Sequence, residues 1–313
     1  MQSLRDNAFA AGPVLAASLW GGMYVVSKWG FSSIPPVTLA FLRVVLGAVG
    51  LFAVVRLTRP KRSFSRAEWR RFGVLAVLVA LTLVPQFVGT DLTTASQGAL
   101  LTVLTPVFTF AFGVGVGESV TARKVAGMTV AALGTVVVVA GTYDLATVDG
   151  GSLVGVGLLL VASAAWAGFT VVGKPLVRRY SALEAATYGT VLAIPVVGVL
   201  VPVEFALSPA TLASVRVTLP VVGAVLYLGL GSTALAWYAW YKGMETVGAS
   251  TIAVFFFAQP VVGTLASALV LGEAVTTGFL VGGVVMLAGV YLVSTGRGDD
   301  SNRTTESGAA VEK

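Results

Sequence analysis

The sequence predicts an all-α integral membrane protein: ten transmembrane helices arranged as two inverted five-helix repeats. Three observations predict it. Composition is the first. The 313 residues are 56% hydrophobic and only 11% charged, against roughly 25% charged in a soluble domain, so charges are too few to cover a water-facing surface. Duplication is the second. Ala95-Ser96 and Pro106-Val107 recur as Ala249-Ser250 and Pro260-Val261 at an offset of 154. Gly117-Glu118, Val120-Thr121, Gly127 and Gly134 recur as Gly272-Glu273, Val275-Thr276, Gly282 and Gly289 at an offset of 155. Upstream, Trp20, Gly22, Val25-Val26 and Lys28 recur as Trp166, Gly168, Val171-Val172 and Lys174, all offset by 146. A period near half the chain marks a duplicated unit and not a solenoid. The third is a bias in basic residues that alternates between corresponding loops of the two copies.

Apolar runs near 20 residues, long enough to carry a helix across the ~30 Å bilayer core, place the spans at about 8–30, 36–55, 72–90, 97–117, 123–142, 151–173, 184–204, 217–241, 248–272 and 275–295. The run from Ala8 to Phe31, after a short polar Met1–Asn7, is too long for a signal-peptide core and reads as a retained first helix. Ser65-Arg66-Ala67-Glu68 and Ser181-Ala182-Leu183-Glu184 are capping-box patterns leading into spans three and seven. Thr121 and Thr276 stand at matching positions as N-caps for spans five and ten. Gly113/Gly117, Gly151/Gly155 and Gly278/Gly282 are small-xxx-small pairs suited to close helix packing. The repeats occupy 1–146 and 147–295, and the polar tail 296–313 is expected to be a disordered cytoplasmic segment.

The charges test the inversion. Arg56, Arg59, Lys61, Arg62, Arg66, Arg70 and Arg71 follow span two, whereas the counterpart loop after span seven carries only Arg216. Arg123 and Lys124 follow span four, and the loop after span nine has no basic residue. Conversely, Arg178 and Arg179 follow span six, while the loop after span one has none beyond Lys28. Positive-inside logic puts the rich loops and both termini in the cytoplasm of a multi-pass protein of the cell membrane. Five helices per repeat then force the second copy upside down.

The chain has no Cys and no His. That removes thiol nucleophiles, thiolate metal sites, the commonest general base and the usual near-neutral proton carrier. No cofactor and no metal are expected. The net charge of +6 reads as cytoplasmic retention beside anionic lipid, not as nucleic-acid binding, and the 56–71 segment is the expected lipid contact. A second copy of the chain is the other partner considered, as a homodimer.

Inverted repeats recur in secondary transporters, with the substrate near the midplane between the halves. Leu19-Trp20-Gly21 with Lys28, Leu39-Ala40-Phe41-Leu42-Arg43, Leu104-Thr105-Pro106 with Gly117-Glu118, and Ala258-Gln259-Pro260 with Leu271-Gly272-Glu273 resemble EamA-type members of the drug/metabolite transporter superfamily, from about 10 to 295. The resemblance implies ten helices, cytoplasmic ends, and movement, often export, of small organic metabolites such as amino acids or related compounds. It does not fix a substrate.

Several residues are candidates for the substrate cavity. Trp20 and Trp166 lie mid-span at equivalent positions, where an indole N–H facing lipid would go unsatisfied; they face inward as a cavity wall or as packing with the N–H on a backbone carbonyl. Arg43 lies inside span two with no acidic residue in that span, and an intramembrane charge is a functional hypothesis: it holds a substrate carboxylate or pairs with Asp91. Lys28 and Lys174 near span ends are explained by snorkelling. Thr102, Thr105 and Thr109 form a stripe on one face of span four, lining a path or bonding their own helix. Tyr24, Gln86, Tyr188, Tyr238, Tyr241 and Gln259 are the remaining polar candidates. Pro106 and Pro260 remove backbone donors at matching depths and are expected to kink, for gating or for shape. Glu118 and Glu273 read as caps or loop pairs, so no mid-span carboxylate offers a proton relay.

Other readings make different demands. An exchanger of nucleotide-sugars or phosphorylated sugars calls for several inward Lys or Arg, and only Arg43 qualifies. An intramembrane enzyme lacks the usual acid, base and nucleophile sets. A retinal-type receptor needs a Lys in its last helix, and 280–294 has none. A pore-type channel stays open as an alternative. The sequence thus predicts a non-enzymatic alternating-access transporter whose site draws on spans one, three, four, six, eight and nine.

Overall fold

The computed structural model describes residues 2–115, 121–142, 150–207, 215–244 and 258–295. Every secondary-structure element among them is helical: α1 (Gln2–Gly30), α2 (Pro36–Thr58), α3 (Arg66–Leu92), α4 (Ala95–Leu101), a 3-10 turn (Thr102–Leu104), α5 (Thr105–Gly115), α6 (Ala122–Thr142), α7 (Gly150–Arg179), α8 (Ala182–Gly198), α9 (Leu200–Leu207), α10 (Leu219–Leu226), a π-helical segment (Tyr227–Leu235), α11 (Ala236–Met244), α12 (Ala258–Leu271) and α13 (Thr277–Thr295). Seven helical stretches among the described residues are long and apolar enough to cross a bilayer, and Ala258–Leu271 and Thr277–Leu292 are shorter apolar helices. This is the fold of a multi-pass membrane protein. The tail 296–313, Glu118 and the first ten residues of span nine lie outside the described residues.

Local signals start the helices where the sequence placed them. Ser65 and Glu68 close a full capping box on α3, each side chain satisfying the other's backbone N–H. Ser181 caps α8 by accepting from Glu184 N at 3.1 Å. Thr121 and Thr276 accept from Lys124 N at 3.3 Å and Phe279 N at 3.1 Å. Gly272, at φ 68°, takes the left-handed turn that stops α12, a conformation strained for other residues.

Two spans depart from the α-helix: span four at Pro106, where a kink was expected, and span eight, where none was. Span four breaks at the 3-10 turn because Pro106 cannot donate to Thr102 O; the N–H and hydroxyl of Thr105 take that carbonyl instead. Span eight widens into the π segment, where Thr233 Oγ1 donates back five residues to Leu228 O at 2.9 Å. Hydropathy reads neither, since both remain apolar and helical.

The halves interlock. The repeated glycines meet one another between α6 and α13: Gly134 lies against the backbone of Met286, Gly289 against Ala131 and Gly127 O, and Gly141 against Gly278. Gly21 of α1 lies against Gln259 O and Gly263 of α12, and Gly89 of α3 against Gly155 of α7. Without side chains at these crossings, backbones approach closely enough for dispersion to act where no hydrophobic force separates helix from lipid. The basic loops after α2 and α7 share one end of the bundle, where Arg62 Nε meets Glu184 Oε1 at 3.2 Å. At the other end Ser33 O accepts from Arg216 N at 3.0 Å.

Candidate functional site

A cavity of about 510 Å3, counting its open mouth, lies in the middle of the bundle. It is lined by eight of the residues singled out in the sequence: Trp20, Tyr24, Arg43, Gln86, Thr102, Thr105, Trp166 and Gln259.

Its polar wall is one connected chain. Arg43 Nε donates to Thr233 Oγ1 at 2.9 Å, and Nη1 to Gln86 Oε1 at 3.4 Å. Gln86 Nε2 donates to Tyr24 OH at 2.6 Å. The Thr102 hydroxyl donates to Gly98 O at 2.8 Å, so Tyr24 OH donates to Thr102 Oγ1 at 2.6 Å. From the other half, Gln259 Nε2 reaches Thr102 Oγ1 and Ala99 O, both at 3.1 Å. Arg43 is 3% exposed, over the Phe87 ring at 5.5 Å. The Asp91 pairing is not what forms: Arg43 turns to Thr233, which the π segment brings beside α2. Asp91 stays at the helix end, exposed.

The apolar wall is aromatic. Trp166 stands 5.1 Å from Trp237 and stacks on Phe169 at 5.0 Å. Trp20 packs on Trp240 at 5.2 Å and donates its indole N–H to Ser232 O at 2.9 Å. Both readings of Trp20 therefore hold at once: it lines the cavity and its N–H is satisfied by a carbonyl.

Two candidates lie elsewhere. Tyr188 joins an aromatic cluster with Phe64, Trp69 and Phe72 at the basic end, with its ring 4.7 Å from Phe64. Tyr238 is half-buried against the packed core and does not line the cavity. One residue earlier, Trp237 does; the roughly 100° turn per residue puts the neighbours on different faces. The sequence reading also missed Met23, Thr82 and Ser163. Each had a signal, standing three or four residues from Trp20, Gln86 or Trp166 on the same helix face. Thr109 falls outside the lining and bonds Thr105 O at 2.9 Å. Pro106 and Pro260 adjoin the lining residues Thr105 and Gln259. The side chain of Tyr241 lies outside the described residues.

Charged side chains away from the cavity hold helix ends. Lys28 is one of these. Its ammonium donates to Thr90 O, Asp91 O and Thr93 O at 3.2, 2.6 and 2.6 Å, closing the carboxyl end of α3. Glu273 accepts from Ala95 N and Ser96 N at 2.7 and 3.0 Å, capping α4 across the halves. Glu204 does the same for α2 through Val37 N and Thr38 N at 2.8 and 2.9 Å. At the basic end Arg179 and Tyr180 OH approach Glu68 Oε1 at 3.0 and 2.6 Å, and that carboxylate pushes the Tyr180 phenol above its usual value. Among the described residues no cluster of acidic ligands could hold a metal.

A buried, half-polar and half-aromatic chamber between duplicated halves is transporter architecture, and comparison with known proteins decides the family. The sequence model of the EamA-like transporter family matches at 9–140 and again at 153–295. The chain belongs to the EamA-like transporter family. An uncharacterized transporter of Archaeoglobus fulgidus is 28% identical over 282 residues, covering 90% of this chain and 95% of that one. Probable amino-acid metabolite efflux pumps of Salmonella typhimurium and Escherichia coli are each 25% identical, covering 92% and 93% of this chain and 94% and 95% of theirs. One solved crystal structure has a similar fold at TM-score 0.64 and 19% identity, covering 92% of this chain and 96% of its own. This EamA-like transporter is thus related along nearly its whole length to membrane transporters.

Proposed function

We propose that this protein is a secondary transporter that exports small organic metabolites, such as amino acids or related compounds, by alternating access and without catalysis. One observation carries the reading: the central cavity takes its walls from α1, α2, α3, the 3-10 turn and α5 of the first repeat and from α7, α11 and α12 of the second. In this reading the halves, 1–146 and 147–295, form ten spans in inverted orientation in the cell membrane, with both termini cytoplasmic. Pro106 and Pro260 let spans four and nine bend beside the site.

The contacts between halves fall into two sets. Arg62–Glu184, Arg179–Glu68 and Tyr180–Glu68 lie at the basic, cytoplasmic end. Glu204 on α2 and Glu273 on α4 lie at the opposite end. Rocking requires one set to part while the other holds. The exposed Arg56, Lys61, Arg66, Arg70 and Arg71, beside exposed Trp69, contact anionic cytoplasmic lipid, each charge near the surface contributing ~1 kcal/mol. Activity indifferent to anionic lipid content would remove that contact.

The test is efflux from proteoliposomes loaded with a mixed metabolite pool, read by mass spectrometry against protein-free vesicles. Selective loss of one chemical class is the expected result. Loss of every small solute would make the protein a channel, and retention of all of them across pH and ion gradients would refute transport.

A further inference from the structure

The cavity is asymmetric in charge, and that asymmetry names what it can hold. Among the described residues its one cation is Arg43, and no Asp or Glu lines it. A guanidinium carries five N–H donors. Two of Arg43's are engaged, by neutral oxygens of Thr233 and Gln86, and the rest belong to a side chain that lines the cavity. Among the described residues no carboxylate pairs with it. A buried cation supported only by neutral oxygens and a Phe face is costly, and a fitting anion removes most of that cost. The planar fork matches a carboxylate bidentately.

Among the described residues the rest of the wall offers no carboxylate to a positive group. Tyr24 and Thr102 present neutral oxygens already engaged with each other, and Gln86 and Gln259 donate amide N–H groups to them. The faces of Trp20, Trp166 and Trp237 suit an apolar body. Among the described lining residues a second negative group finds no second cation, and a cationic side chain would meet Arg43.

We propose that the cavity recognises its substrate through one carboxylate and does not read an α-ammonium: the class is small monocarboxylates with an apolar body, including 2-oxo acids and N-acyl amino acids alongside neutral amino acids. The proposal rests on the transporter reading for its biological meaning, but the recognition is measurable without transport. Thr233 acts as a positioning residue, holding Nε so that the fork faces the cavity.

The experiment is ligand binding to the full-length protein in lipid nanodiscs, followed through the intrinsic fluorescence of the cavity tryptophans. Four ligands of one side chain are compared: leucine, 4-methyl-2-oxopentanoate, N-acetyl-leucine and leucinamide. The three acids should bind within about tenfold of one another, and leucinamide at least about a hundredfold more weakly, since it leaves the guanidinium uncompensated. Arg43→Gln should erase the preference for acid over amide, and Thr233→Val should weaken the acids about tenfold without changing the amide. The wild-type series needs no variant, so misfolding of Arg43→Gln leaves the test intact. Equal binding of leucinamide, binding of leucine alone, or binding of none of the acids would overturn the proposal. Carboxylate-dependent binding with no efflux would sink the transporter reading instead, and efflux of uncharged compounds only would sink this one and leave transport standing.

Discussion

The substitution Gly289→Ala adds one methyl group at a place where the structure has no room for it. Its Cβ would stand 2.6 Å from Gly127 O and 2.7 Å from Ala131 Cα, whereas ordinary contact begins at 3.4 Å. The obstacles are backbone atoms of α6, which cannot rotate aside as a side chain does. The Ala131 N atom lies closer still, so relief requires α6 and α13 to separate locally by about 1 Å, and a gap of that size forfeits a quarter to a half of each dispersion contact. Overpacking of this kind costs ~1–3 kcal/mol. Gly157 in α7 is the control: a Cβ there meets nothing within 4 Å, and Gly→Ala inside a helix gains up to ~1 kcal/mol. The same chemical change should thus have opposite signs at the two positions, about 2–4 kcal/mol apart. Thermal unfolding of the solubilised protein, followed by tryptophan fluorescence, measures the difference. Gly289→Ala unfolding at or above the wild-type temperature would refute the close α6–α13 crossing.

The other expectations concern helix ends and motion. Lys28→Ala leaves three carbonyls at the end of α3 without their cation and should destabilise by ~1.5–3 kcal/mol in the same thermal assay, with Lys28→Arg milder. Glu273→Ala removes the cap on α4 and should cost ~1–2 kcal/mol; unchanged stability would mean that backbone donors of α4 find other acceptors. The protein is free of cysteine, so Arg62→Cys with Glu184→Cys, joined by a short bis-maleimide that alkylates both thiols, should clamp the basic end and stop efflux, whereas each single variant keeps it. Transport surviving the double crosslink would show that this end does not open. For topology, a membrane-impermeant thiol reagent on intact cells should label Thr218→Cys and spare Arg66→Cys.

Much of this was legible because it follows from local chemistry. The caps at Ser65, Thr121, Ser181 and Thr276 need only a side chain within three residues of a free N–H. The inward placement of Trp20, Arg43 and Gln86 follows from the cost of exposing polar groups to lipid. Other features turned on neighbours distant in sequence. Lys28 caps α3 because Thr90, Asp91 and Thr93 come beside it, and without that partner snorkelling was the cheaper account. Arg43 meets Thr233 only because a π segment shifts the register of span eight. Trp237 lines the cavity and Tyr238 does not, a choice that hydropathy leaves open because it does not fix the azimuth of a helix with apolar residues on every face.

By itself the sequence determined that the chain spans a membrane, that it holds two copies of one unit, and that basic residues alternate between their corresponding loops. These depend on composition, periodicity and charge, which act through solvent and need no partner. Only the tertiary structure decided which helix faces meet, where span eight departs from the α-helix, and that Arg43 stands in a cavity with no carboxylate beside it among the described residues. Those outcomes come from close packing of backbones at small residues and from hydrogen bonds between groups as much as 190 residues apart in sequence, as in Arg43 to Thr233, and such pairings exist only once the halves have come together.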